Sequence, residues 1–158
     1  MSKEKVLLRV FKYFILILFP LILLTYDGLY KNPYPHETVF GDEKLKVIHS
    51  EFIQDCKRFG YGGVVRDKDL LIMDYGKLYS GYVGLTSHKP KLILIDTTIM
   101  GSSKSFLYVV AYHELAHFYL RAKHDSSCDL CIMMPSISLV ETMKIYYNME
   151  QYKIKLFK

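Results

Sequence analysis

Residues His113, Glu114, Leu115, Ala116 and His117 put two imidazoles and a carboxylate into five consecutive positions. On a helix, residues four apart are neighbours, so His113 and His117 stand one turn apart on one face. Two imidazoles so placed reach a single divalent cation, and zinc takes imidazole nitrogen at about 2.0–2.1 Å. Glu114 falls beside that position, where a carboxylate takes a proton from an attacking water. A third ligand follows at His124, with Asp125 as the alternative, since a carboxylate also suits zinc. The spacing predicts one zinc per chain on His113, His117 and His124, an open fourth position, and Glu114 as catalytic base. Without a metal, two histidines and a glutamate buried together need a hydrogen-bond partner each.

The surrounding pattern must supply the helix. Residues 105–122 are apolar almost all round, which predicts a buried helix. Gly101-Ser102-Ser103 reads as a turn and helix start, and residues 131–135 as a turn. Residues 91–96, KLILID, are apolar on both faces and predict a central strand. Residues 79–86, YSGYVGLT, mix glycine with β-formers and predict an irregular or edge strand. Residues 70–73 predict a short strand ended by Asp74-Tyr75-Gly76. Upstream, Leu45, Ile48, Phe52, Ile53 and Cys56 recur at helical spacing, so residues 43–59 predict a helix stopped by Gly60. Residues 138–155 predict a closing helix. The expected domain, residues 43–158, is α+β, a mixed sheet packed on a buried zinc-binding helix.

An HExxH, a downstream histidine and the turn Cys131-Ile132-Met133-Met134-Pro135 together resemble the metzincin clan of zinc peptidases. In that clan an edge strand and then a central strand precede the zinc helix, and residues 79–86 and 91–96 occupy those places. The resemblance implies a zinc metallopeptidase acting on protein or peptide, with Met133 as the residue of the Met-turn. It also implies a substrate lying extended beside Tyr82, Gly84 and Thr86, adding a strand to the sheet edge. The chain departs from the clan's HExxHxxGxxH. Leu120 stands in place of the glycine, Lys123 in place of the third histidine, and His124 comes one residue late. Glycine permits a sharp turn after the helix; without it the helix is expected to run longer and unwind near Lys123. HELAHFYLRAKHD is more similar to small HExxH metallopeptidases of phage and bacterial genomes, which carry a HELGHxLLxRxHD-like stretch and an IMNP-like turn.

The chain has 158 residues, 51% hydrophobic and 23% charged, enough for one globular domain with a core. Of the net charge of +5, Lys3, Lys5, Arg9 and Lys12 against Glu4 account for three, so no basic stripe remains for nucleic acid. That basic flank precedes the apolar run YFILILFPLILL at residues 13–24, the pattern of an export signal. Residues 1–26 are read as a signal anchor, with a cleaved signal peptide as the alternative. The expected location is a single-pass membrane protein with its domain extracytoplasmic, or a secreted domain after cleavage. Residues 27–42 read as a linker. Cys128 and Cys131 favour a disulfide or inert thiols over a second metal. His36, His49 and His88 lack motif context and read as surface residues, while Tyr146, Tyr147 and Tyr152 read as packing. Two other functions fit in part: a non-catalytic zinc-site binding protein of the same fold, and a zinc-dependent nuclease using an HxxxHxxxxxH triad, in which Glu114 would be superfluous.

Overall fold

A computed structural model describes residues 38–63, 70, 72–79 and 81–158. The apolar run at 13–24 and His36 lie outside them. Among the described residues no helix is long and apolar enough to cross a membrane.

The fold is α+β, with four α-helices and one mixed four-stranded sheet among the described residues. Strand β1 (Val39–Phe40) runs parallel to β2 (Ile72–Gly76), and β2 parallel to β4 (Lys91–Asp96). Strand β3 (Gly84–His88) pairs antiparallel with β4 and forms one edge of the sheet, in the order β1-β2-β4-β3. The internal place of β4 follows from its composition: Ile93 and Ile95 are fully buried and Leu92 and Leu94 half-buried. Parallel β1 and β2 require a crossover, and helix α1 (Glu43–Arg58) supplies it. Asp42 caps α1 by accepting from the Leu45 N–H at 3.0 Å, and Lys57 and Arg58 sit in its last turn, where cations suit the helix dipole. Its apolar stripe, Leu45, Ile48, Phe52, Ile53 and Cys56, is buried, and Gly60 takes the left-handed backbone (φ 90°) beyond its end.

Helix α2 (Lys104–Leu115) starts at Ser103, whose hydroxyl accepts from the Phe106 N–H. It is buried from Leu107 to Tyr112, and packs on α1, β3 and β4. Phe52 of α1 meets Tyr112 edge-on with ring centres 4.8 Å apart. The Tyr112 hydroxyl donates to Asp55 at 2.6 Å, and Lys153 reaches the same carboxylate oxygen at 2.6 Å. This buried pair ties α1 and α2 to the last helix, and each polar group has its partner. The chain closes with α3 (Leu139–Tyr147) and α4 (Met149–Leu156).

Several boundaries differ from the sequence reading. β1 falls within the stretch read as linker, and it joins the sheet because Phe40 and Val39 find parallel partners on β2. β2 continues through Asp74-Tyr75-Gly76 because each of these pairs with β4. The edge strand begins at Gly84 rather than Tyr79 and continues to His88, so Tyr82 precedes it. The single closing helix is two: Asn148 ends α3 with its side-chain amide on the Lys144 carbonyl, competing with the backbone. His49 is buried, with Nε2 2.8 Å from the Tyr119 hydroxyl, and is not a surface residue. Tyr146 packs on Tyr108, while Tyr147 is 75% exposed and packs little.

The helix that carries His113 and His117 does not run on to residue 122. After Leu115 it widens into a π-helical turn, Ala116–Leu120, closed by the Arg121 N–H on the Ala116 carbonyl. Arg121 then takes a left-handed backbone, φ 56° and ψ 26°. That conformation costs an L-residue about 1–2 kcal/mol. A π-turn holds one residue more than an α-turn. It absorbs the extra residue before His124, and the corner falls at Arg121, one place after Leu120.

Candidate metal centre and cleft

His113 and His117 leave α2 and its π-turn on one face, and the left-handed corner at Arg121 brings His124 back to them. The three Nε2 atoms form a near-equilateral triangle: His113–His117 3.0 Å, His117–His124 3.0 Å and His113–His124 3.1 Å. Two backbone carbonyls fix the rings. Ile132 O lies 2.6 Å from His113 Nδ1, and Ala122 O lies 2.6 Å from His117 Nδ1. A carbonyl only accepts, so each Nδ1 carries the proton and each neutral ring turns a bare lone pair inward at Nε2. The His113–His117 pair then has no proton to share, and its facing lone pairs repel unless a cation lies between them. Tetrahedral nitrogens about 2.0–2.1 Å from a metal are themselves roughly 3.3 Å apart, close to what is seen. The residues present thus fit a metal ion held by three imidazoles, and His113, His117 and His124 form a group able to hold one.

Electrostatics agree with neutral rings at His113 and His124. Burial pushes the His113 imidazole down to about 4; the hydrogen bond to Ile132 opposes this, and the neighbouring His117 and His124 imidazoles act with burial. Burial, then His117, also holds His124 below its ordinary value. Asp125 turns elsewhere: its Oδ1 accepts from the Ser127 hydroxyl at 2.6 Å and the Ser127 N–H at 2.9 Å, which keep its carboxyl low. Its backbone N–H donates to the Met133 carbonyl at 2.9 Å, tying down the corner that carries His124. Met133 itself is buried in the core. Cys128 and Cys131 are joined in a disulfide within the loop between His124 and Ile132, and Cys56 is a buried free thiol.

Glu114 is 6% exposed and points toward the sheet edge. The Thr86 hydroxyl donates to Glu114 Oε2 at 2.7 Å and lies 3.0 Å from the Glu114 carbonyl. Burial pushes the Glu114 carboxyl up, while the Thr86 hydrogen bond and the neighbouring His117 pull it back. Gly84 explains how the side chain fits: a methyl group there would come within 2.7 Å of Glu114 Cγ and 2.8 Å of Cδ. Gly84 and Thr86, read from sequence as substrate-strand positions, therefore also seat the carboxylate. Gly84→Ala is expected to displace Glu114, destabilising the fold by about 1–3 kcal/mol without removing a histidine ligand. Urea unfolding and metal content on the same sample check this; unchanged stability would show that the carboxylate has room.

The histidines open onto a cleft of about 540 Å³. Its walls include Tyr82, Gly84, Thr86 and His88 on the edge-strand side and Arg121, Pro135 and Ile137 from the chain that follows the histidine helix. His88 is a cleft residue, packed against Phe118 with ring centres 5.2 Å apart, not an isolated surface histidine. Burial, then the Arg121 charge and the neighbouring His117, holds it below its ordinary value. Sequence reasoning missed His88, Arg121 and the carbonyls of Ile132 and Ala122. Backbone acceptors leave no residue signature, and Arg121 matters through a conformation usual for glycine. Neither a protein family nor a curated protein matches the chain.

Proposed function

We propose that the chain is a zinc-dependent endopeptidase of metzincin-like architecture, anchored to a membrane by its N-terminal segment. The observation that carries the reading is the triangle of His113, His117 and His124 Nε2 atoms, with Glu114 on the same cleft. The antiparallel edge strand β3, followed by the internal strand β4 and then the histidine helix, supports the metzincin-like part.

Bound there, zinc supplies Lewis acidity to a carbonyl and makes a water easier to deprotonate. His113 and His117 donate Nε2 lone pairs because Ile132 and Ala122 hold their protons at Nδ1. Thr86 fixes one oxygen of Glu114, so the carboxylate meets the attacking water in one orientation, takes its proton and later passes it to the leaving amine. A substrate peptide laid along β3 finds free edge-strand hydrogen-bonding groups. An intact Glu114 seated by two other residues favours catalysis over binding alone.

The test is zinc content and proteolysis of an unfolded protein substrate by one purified sample. Full zinc occupancy without cleavage would leave a zinc-binding protein. The anchor is tested separately. The full chain should stay with membranes through an alkaline wash, with its domain open to added protease from outside. A soluble chain beginning near Asp27 would instead show a cleaved signal. The Cys128–Cys131 disulfide supports export, since such bonds persist in oxidising compartments.

A further inference from the structure

Resting on the peptidase reading, the geometry points to a substrate with an acidic side chain, received in the cleft by the Arg121 guanidinium. Arg121 lines the cleft and is exposed to it. It stands at φ 56°, where glycine is free of strain and arginine is not. The corner needs no side chain, since its N–H alone closes the π-turn. What arginine adds is a fixed positive charge at this place.

That charge is unbalanced. Among the described residues the ion pairs involve Lys46, Arg58 and Lys153, and none involves Arg121. Glu114 is the one carboxylate among the residues lining the cleft, and Thr86 already holds it. Lysine is absent from the lining, so Arg121 is its permanent cation.

The position along the strand is also defined. Thr86 faces Glu114, and His88 follows on the same side of β3, two residues or roughly 7 Å further on. Arg121 and His88 line the same cleft. A peptide extended along β3, with its scissile bond at Glu114, therefore brings a side chain one or two residues away toward Arg121. A glutamate or aspartate there pairs with the guanidinium, and a lysine is repelled.

The experiment uses the zinc-loaded full chain and a set of blocked peptides, identical except for Glu, Gln or Lys at each position in turn. At one position Glu is expected to raise kcat/KM over Gln by about 2–5-fold, and Lys to lower it. Arg121→Gly should erase the preference while melting at the same or a higher temperature, because glycine suits the corner. Arg121→Lys should keep part of it. Cleavage with no preference for Glu at any position overturns the inference and leaves the peptidase reading standing. If no peptide is cut, binding of the Glu and Gln peptides to zinc-loaded Glu114→Gln protein decides. Arg121-dependent selectivity for Glu keeps the acidic site and removes the peptidase reading, and equal binding removes both.

Discussion

His117→Ala is expected to empty the metal centre, taking zinc from one per chain to near zero after dialysis. His117 contributes one corner of the triangle, and its Nε2 lies 3.0 Å from each of the other two. Two imidazoles remain, and His124 sits on an exposed corner tied on its far side by the Asp125 N–H to the Met133 carbonyl. Loss of a partner that merely orients a ligand already weakens metal sites about 10–100-fold, so loss of the ligand itself should exceed about 10²-fold. His113→Ala should do the same, and it also strands the Ile132 carbonyl. The core does not depend on either ring: Phe52, Tyr112, Leu115 and Ile93 pack away from the cleft lining. The folded variants should therefore be recoverable, and circular dichroism on the same sample separates loss of metal from loss of fold. A folded His117→Ala protein that keeps its full zinc would place the metal elsewhere, with Cys128 and Cys131 the first candidates once reduced.

Glu114→Gln is expected to keep zinc and fold and to lower peptide hydrolysis at least 10²-fold, general-base assistance being worth roughly 10²–10⁴. Glutamine preserves length, and its amide can still accept from the Thr86 hydroxyl, so the side chain stays over Gly84. What disappears is the basic oxygen. The variant also relieves a buried carboxylate of its desolvation, so stability should hold or rise slightly. Turnover must be compared at equal zinc content. Equal rates would mean that another group accepts the proton, and His88 is the candidate, as the lining histidine outside the metal triad.

The parts of this centre that depend on side-chain identity were legible in the sequence. The four-residue spacing of His113 and His117 on an all-apolar stretch implies one helical face, and β4 was visible as six residues with apolar side chains on both faces. The start of the closing helix was legible to within a residue: Ser138, read as its first residue, is its N-cap and forms a reciprocal capping box with Glu141. The parts that depend on backbone were not. A π-turn has no composition of its own, and Ala116–Leu120 continues the apolar pattern of α2 without a break. The missing glycine at Leu120 implied a longer helix, whereas the chain turns at Arg121 by accepting strain that only the surrounding packing can hold. Two-residue β1 is too short for any periodicity, and it exists because β2 offers it partners. Asn148 breaks the closing helix through a side-chain bond that no hydrophobic pattern reports.

The most direct test of the zinc-peptidase claim is cleavage of an unfolded protein by zinc-loaded chain in ¹⁸O-labelled water, read by mass spectrometry. Hydrolysis at this centre predicts fragments whose new C-terminal carboxylates carry one labelled oxygen. It predicts loss of these fragments on chelation and their return with added zinc. An intact substrate at full zinc occupancy would contradict it, as would fragments that persist unchanged when the metal is removed.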